Sequence, residues 1–362
     1  MRKLLAPLAL LLAPLFAGVT PAQAEPYRFS VDGAAGVDAI LDNFTFADGE
    51  TLPELTIRYI TLGSPKHDAK GNVTNAVMIL HGTGGTGKQF FQPQFADELF
   101  GPGQPLDTSK YYVILPDNIG HGGSSKPSDG LRMKFPRYDY DDMVAAQYRL
   151  LTEKLGVKSL KLILGTSMGC MHAFVWGETH PGFAERLAPF ACQPVEIAGE
   201  NRMWRTLSID AIKADPLWKD GNYTDPPVSG LRTAASLTMI AGANPYALQA
   251  QYPTRVAAEK YKDEAFARAF GRSDANDTIY QLDSSRNYNP WPNLEKITVP
   301  VLWINSGDDF INPPGYSYPE EGVKRMPRAR YILIPASAET KGHSTHSWAK
   351  FWKDDLAKLM AE

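Results

Sequence analysis

The sequence predicts an α/β protein: a mostly parallel sheet flanked by helices, with a helical segment inserted late in the chain. The first observation behind this is a set of short apolar runs bounded by polar or turn residues. They lie at Ala76 to Leu80, Tyr111 to Leu115, Leu160 to Leu164, Val299 to Ile304 and Tyr331 to Ile334. Runs of this kind suit strands buried on both faces of a parallel sheet. The second is what separates them. From Asp139 to Leu155, Met143, Ala146, Leu150, Leu151 and Leu155 share one face at helical spacing, and Gly156 closes the segment. Strand and helix in alternation argue for an α/β layer structure. The third is an interruption. From about Ala198 to Pro292 the buried-strand runs stop, and helix-like patches such as Tyr246 to Lys262 are broken by turns such as Asp225-Pro226-Pro227. The alternation then resumes, so 198–292 reads as a helical cap inserted into a core made of 25–197 and 293–362.

The first residues read as a targeting segment. Met1-Arg2-Lys3 gives a positive start, Leu4 to Val19 is apolar, and Pro21-Ala22-Gln23-Ala24 offers small residues for cleavage. A signal peptide over 1–24 is expected, leaving a mature chain that starts at Glu25 and is secreted or periplasmic. The alternative is a membrane anchor. The run is short for a span of about 20 residues and carries Pro7 and Pro14, which favours cleavage and no stable membrane insertion. With 37 basic against 40 acidic residues and no Lys/Arg cluster, nothing points to a nucleic-acid partner. Cys170 and Cys192 make no disulfide framework. An oxidising compartment would let them pair, and two buried thiols serve the sequence equally well.

The chemistry starts at Gly165-Thr166-Ser167-Met168-Gly169, between the run ending at Leu164 and a helical stretch from Cys170. A strand, a Gly-x-Ser-x-Gly turn and a helix make the nucleophile elbow of an α/β-hydrolase fold, so Ser167 is the expected nucleophile. The flanking glycines clear the backbone of a tight turn, and the serine sits at the positive end of a helix. A serine needs a base. In this fold the order is Ser, acid, His, which leaves His343 and His346 of the seven histidines. His343 follows Gly342 in a loop after a strand and before a helix carrying Trp348, Phe351 and Trp352, and it is the preferred base; His346 lies a turn into that helix. The acid should follow the strand before it, where Asp308 and Asp309 stand together. Asp309, four residues before Pro313, is preferred, with Asp308 as a turn or loop-capping carboxylate.

Two backbone donors are expected for the oxyanion: Met168, after the nucleophile, and Thr83, in the Gly-rich loop His81-Gly82-Thr83-Gly84-Gly85-Thr86-Gly87. That loop is no phosphate loop, because Gln89 follows Lys88 where Ser or Thr is required. Asp117 to Ser124 is read as architectural. No metal-ligand spacing and no dinucleotide fingerprint occur, and the chemistry needs no cofactor. Phe90, Phe91, Trp204 and Trp303 are candidates for an apolar pocket, although aromatics at such places more often serve the core.

With these residues named, the chain resembles the homoserine O-acetyltransferase family of α/β-hydrolase-fold proteins from roughly Phe44 to Phe351. The resemblance is carried by Gly101-Pro102-Gly103 with Leu106-Asp107-Thr108 and by the elbow and its helix. Inside the insertion it is carried by Ala211-Ile212, Asp215-Pro216, Trp218, Gly221-Asn222-Tyr223, Gly230-Leu231 and Asp274-Ala275-Asn276. The family's serine, aspartate and histidine map to Ser167, Asp309 and His343, and members often dimerise, so the resemblance allows a homodimer. Two departures bear on substrate. Where the family places an acceptor-binding arginine this chain has Ala235, with Arg232 on a different helical face. Where the family has an aspartate after the histidine, this chain has Ser344. Without both charges a zwitterionic acceptor is poorly held, and acetyl-CoA is a cytoplasmic donor. The leading expectation is therefore a secreted serine hydrolase cleaving a carboxylic ester or related acyl bond of a small molecule. O-acyl transfer to an alcohol is the second reading, and a non-catalytic binding protein on a hydrolase scaffold the third.

Overall fold

Apolar runs with no polar break form the middle of one sheet. A computed structural model describes residues 27–32, 34–269 and 273–362; the expected signal segment lies outside the described residues. The strands are β1 (Val37–Thr45), β2 (Thr51–Leu62), β3 (Ala76–Leu80), β4 (Tyr112–Pro116), β5 (Leu162–Thr166), β6 (Leu187–Phe190), β7 (Val301–Ser306) and β8 (Ala329–Ile334). They lie in the order β1-β2-β4-β3-β5-β6-β7-β8. β1 and β4 both pair antiparallel with β2, and from β4 to β8 every pairing is parallel. Every residue of β3 to β7 is buried, which is why most of them read as continuous apolar runs. β1 and β2 escape that reading because they are half exposed and alternate irregularly. β6 escapes it through its length and its Pro189.

The helices are α1 (Pro93–Leu99), α2 (Tyr140–Arg149), α3 (Met168–Thr179), α4 (Gly199–Ala214), α5 (Val228–Ala241), α6 (Pro245–Gln251), α7 (Arg255–Ala269), α8 (Ala275–Asp283), α9 (Tyr318–Arg325) and α10 (Lys353–Ala361). Alternate strand residues point to opposite faces, and the two faces carry separate apolar clusters. Met78, Leu80 and Ile163 pack with α2 and α3. Val77, Ile79, Leu162 and Leu164 pack with α1, α10 and Trp352.

Between β6 and β7 lie α4 to α8, which add no strand among the described residues and pack a third cluster of their own around Trp204, Ile212, Trp218 and Ile279. The residues that carry the family resemblance here form one bonded network. Asp215 accepts the Gly230 N–H at 3.0 Å. Trp218 donates to Asn276 Oδ1 at 2.9 Å, and the Asn276 amide donates to the Gly221 carbonyl at 3.0 Å. A Cβ on Gly230 would stand 2.6 Å from the Ala211 carbonyl, so that glycine sets how closely α4 and α5 cross.

Local expectations need correction in three places. The helical stretch from Tyr246 to Lys262 is two helices, α6 and α7, divided around Pro253, which has no N–H to continue the ladder. After α2, Leu150–Lys154 widens into a π turn. Trp348, Phe351 and Trp352 do not lie in a helix with His346. His346 sits in a 3-10 turn, Gly342–Ser347, a second turn spans Ala349–Phe351, and α10 starts only at Lys353.

Three histidines are fully interior. Burial pushes His81 down to about 4; burial and then the charge of His81 push His121 down to about 3; burial, with His81 and His121 beside it, pushes His172 well below its ordinary value. All three are neutral when folded, whereas in the unfolded chain they take up protons near pH 6.5. Below that pH the unfolded state binds more protons, so stability falls with pH, by up to about 1.4 kcal/mol per unit for each histidine. Thermal unfolding followed by circular dichroism should show the melting temperature dropping between pH 7.5 and pH 5. Burial raises Asp142 to about 7 and Asp277 to about 6, which opposes the fall, so a flat or rising profile would mean that the histidines do not outweigh these two carboxyls.

Candidate active site

The parallel strands end on one side of the sheet, and four of the loops leaving them converge there. At the end of β5, Ser167 takes φ 55° and ψ −113° before α3 begins at Met168. An L-residue at positive φ is strained and needs its neighbours to hold it. The neighbours do so by contact. A Cβ on Gly165 would stand 1.9 Å from the Gly169 carbonyl oxygen, and one on Gly169 would stand 2.1 Å from the Leu80 carbonyl oxygen. The Ser167 N–H donates to the Phe190 carbonyl at 2.9 Å, which ties the turn to β6.

His343 reaches this serine from the loop after β8. Ser167 Oγ lies 2.8 Å from His343 Nε2, and His343 Nδ1 lies 2.8 Å from Asp309 Oδ2. A carboxylate only accepts, so Nδ1 carries the proton and Nε2 accepts from the serine hydroxyl. Asp309 is wholly buried. Its other oxygen accepts the N–H groups of Ile311 at 2.8 Å and Asn312 at 3.1 Å, and the Asn312 amide donates to Oδ2 at 3.2 Å. Burial by itself would raise the Asp309 pKa; the adjacent His343 and the bonds from His343 and Asn312 outweigh it and hold the carboxyl below its ordinary value.

Asp308 points elsewhere. It accepts from the Gly342 N–H at 3.0 Å, from the Thr340 hydroxyl at 2.8 Å and from the Ser306 hydroxyl, so it braces the loop that carries His343. The helical segment grips the same loop. Asn244, which opens α6, donates to the Thr340 carbonyl at 2.5 Å, and a Cβ on Gly342 would stand 2.8 Å from the Ala243 carbonyl. His346 packs edge-on against His343 with ring centres 5.3 Å apart.

On the other side, Gly82 backs onto the nucleophile: a Cβ there would stand 3.1 Å from that of Ser167. Thr83 follows it. The Met168 N–H opens α3, where an α-helix supplies no internal acceptor. The Gly-rich loop is anchored by Asp117, which accepts the Gly87 N–H at 2.8 Å and the Gly123 N–H at 2.9 Å. The turn from Asp117 to Ser124 therefore shapes the loop from behind. Ser167 is thus flanked by Gly82 and Met168, on two loops held by separate strands.

The four aromatics named from sequence pack against other side chains. Phe90 packs on Phe95, Phe91 on Phe29, Trp303 lies between Phe174 and Tyr331, and Trp204 belongs to the core of the helical segment. Arg232 is exposed and stacks on Phe266 at 5.3 Å. A groove of about 610 Å³ instead runs beside the histidine loop, between α5, α6 and α7, and Ser344 and Trp348 line one wall. Cys170 and Cys192 form a disulfide, Cα to Cα 5.9 Å, joining the first turn of α3 to the segment after β6. Of the residues holding the site, the sequence reading passed over Asn244 and Asn312. Only Asn312, three residues past an aspartate, carries a local turn signal that could have found it.

The alpha/beta hydrolase fold family matches residues 75–340. A homoserine O-acetyltransferase of Chloroherpeton thalassium is 30% identical over 334 residues, covering 83% of this chain and 82% of its own. A homoserine O-acetyltransferase structure from Bacillus anthracis superposes with a TM-score of 0.79 at 22% identity, over 91% of this chain and 98% of the other. An acetylester hydrolase from Corynebacterium glutamicum superposes with a TM-score of 0.77 at 20% identity, over 91% and 96%.

The elbow's dependence on its glycines is open to direct measurement. Gly169→Ala forces α3 away from β3, and urea denaturation should show a loss of about 1–3 kcal/mol or more. Unchanged stability would mean that the contact with Leu80 is not as close as described.

Proposed function

This chain belongs to the homoserine O-acetyltransferase-like family of α/β-hydrolase-fold proteins, and we propose that it is a serine hydrolase cleaving a carboxylic ester, or a related acyl bond, of a small molecule. The observation that carries this reading is the unbroken relay from Ser167 Oγ through the His343 ring to Asp309, with both links at 2.8 Å. Ser167 Oγ attacks the carbonyl carbon while His343 Nε2 takes its proton. The Met168 and Thr83 N–H groups hold the resulting oxyanion, and Asp309 stabilises the imidazolium. Collapse returns the proton to the departing alcohol and leaves an acyl-Ser167. Water, deprotonated by His343, then attacks that ester and releases the acid.

Hydrolysis is favoured over transfer by what the site lacks. Ala235 and Ser344 stand where the family holds a charged acceptor, and Arg232 is turned onto Phe266. A location outside the cytoplasm is part of the proposal. It is supported by the character of residues 1–24 and by the Cys170–Cys192 bond, whose formation an oxidising compartment favours. Acyl transfer to an alcohol is the second reading, because relatives at about 30% identity are acetyltransferases. In either case 198–292 acts as the cap, and its Asn244 contact couples it to His343.

A pH-stat assay of Glu25–Glu362 on short acyl esters, with and without an added alcohol, tests both readings. Acid release should fall by at least about 10³-fold in Ser167→Ala and in His343→Ala. A fluorophosphonate should label the wild type and not Ser167→Ala. Acyl groups passing mainly to the alcohol would make the protein a transferase, and absence of labelling would remove the nucleophile.

A further inference from the structure

Arg205, on α4, is 2% exposed, and among the described residues no carboxylate comes within 4.0 Å of its guanidinium. Its one hydrogen bond is from Nε to Asn201 Oδ1 at 2.9 Å, and one terminal nitrogen, Nη1, is enclosed without a partner. The neighbouring cation, Arg202, has its own carboxylate: it faces Asp283 at 3.5 Å. A buried charge without a counter-charge is unfavourable, and natural structures rarely keep one without a use.

The surroundings of Arg205 point the same way. The Tyr140 hydroxyl lies beside the guanidinium and beside the hydroxyls of Ser285, Thr83 and Ser284, yet neither Tyr140 Oη nor Thr83 Oγ1, both enclosed, has a partner at full hydrogen-bond geometry. Thr83 adjoins Gly82, which backs onto Ser167. On the opposite side, Asn201 both holds Arg205 and donates to the Ile311 carbonyl at 3.2 Å, and the Ile311 N–H donates to Asp309. Arg205 is thus tied to both walls of the catalytic site, the oxyanion loop and the acid loop. Three polar groups, one of them charged, are enclosed together beside the Gly82–Thr83 turn.

We propose that Arg205, with the Tyr140 and Thr83 hydroxyls, binds a carboxylate carried on the acyl part of the substrate, so that the preferred esters are singly anionic. One guanidinium balances one negative charge, which favours a carboxylate over a phosphate dianion. The leaving alcohol must lie against His343 Nε2 to receive its proton, which leaves the Thr83 side of the site for the acyl chain. This inference rests on the ester-hydrolase reading and names the substrate class of that site.

The test compares monomethyl succinate with its neutral counterpart methyl butyrate. In the pH-stat assay the wild type should favour the succinate ester in kcat/KM. In Arg205→Gln that preference should shrink roughly 10- to 100-fold, with partial return in Arg205→Lys. A preference that survives Arg205→Gln, or none in the wild type, overturns the inference. Calorimetric titration of Ser167→Ala, which needs neither turnover nor an Arg205 variant that folds, should show saturable binding of monomethyl succinate and not of methyl butyrate. Equal binding of the two, or none, overturns it as well. If the wild type cleaves neither ester, the hydrolase reading falls, while the titration still decides whether the anion site exists.

Discussion

Between Thr166 and Met168 the chain passes from a strand to a helix within one residue, and Ser167 takes that turn at φ 55°. A backbone held there costs on the order of 1–3 kcal/mol, so it persists only where surrounding structure over-determines it. Here β3, β5, β6 and α3 all take part. The Leu80 carbonyl presses on Gly169, the Gly169 carbonyl presses on Gly165, and the Phe190 carbonyl receives the Ser167 N–H. The same close packing of β3 against the turn delivers Gly82 and Thr83 to the serine. The order of the central strands is therefore what brings Ser167 and the Gly82–Thr83 loop together.

Two adjacent aspartates after β7 divide the remaining work. Asp309 bonds the imidazole, and His343 first and then Asn312 hold its carboxyl below the ordinary value although burial opposes them. Asp308 fixes the backbone that presents the imidazole. The loop between β8 and α10 is long and has little regular structure, so it is held by side chains: Asp308 from the sheet and Asn244 from the helical segment. Motion of α6 would reach His343 through one amide.

How legible this was in the amino-acid sequence depended on how local each constraint is. The elbow was legible because a turn that tight admits few residues at its flanks. The central strands were legible because burial on both faces leaves an uninterrupted apolar signal; β1 and β2, exposed on one side, left none that was clear. Choosing between Asp308 and Asp309 rested on the position of Pro313 alone, since which carboxylate faces the ring is decided by a loop 34 residues away. Arg205 gave no signal. In an amphipathic helix an arginine reads as a surface residue, and only the docking of α4 over Tyr140 and the acid loop makes it interior. Pairing of Cys170 with Cys192 was undecidable for the same reason, because the two meet through the packing of α3 on β6.

That sulfur–sulfur bond has a consequence for how the protein is made. Both cysteines are wholly enclosed, at 0% exposure, beneath the nucleophile helix. Thiol exchange requires an attacking sulfur to reach the bond, and in the finished molecule none can. Oxidation must therefore come while α3 and the end of β6 are still accessible, before the helix settles on the sheet. A chain that matures among reductants would close over two thiols and keep them, giving a second population without the cross-link between α3 and the segment after β6. Preparations from different hosts would then differ in resilience with no difference in sequence, and the turn at Ser167 would carry a lasting record of the environment in which it first folded.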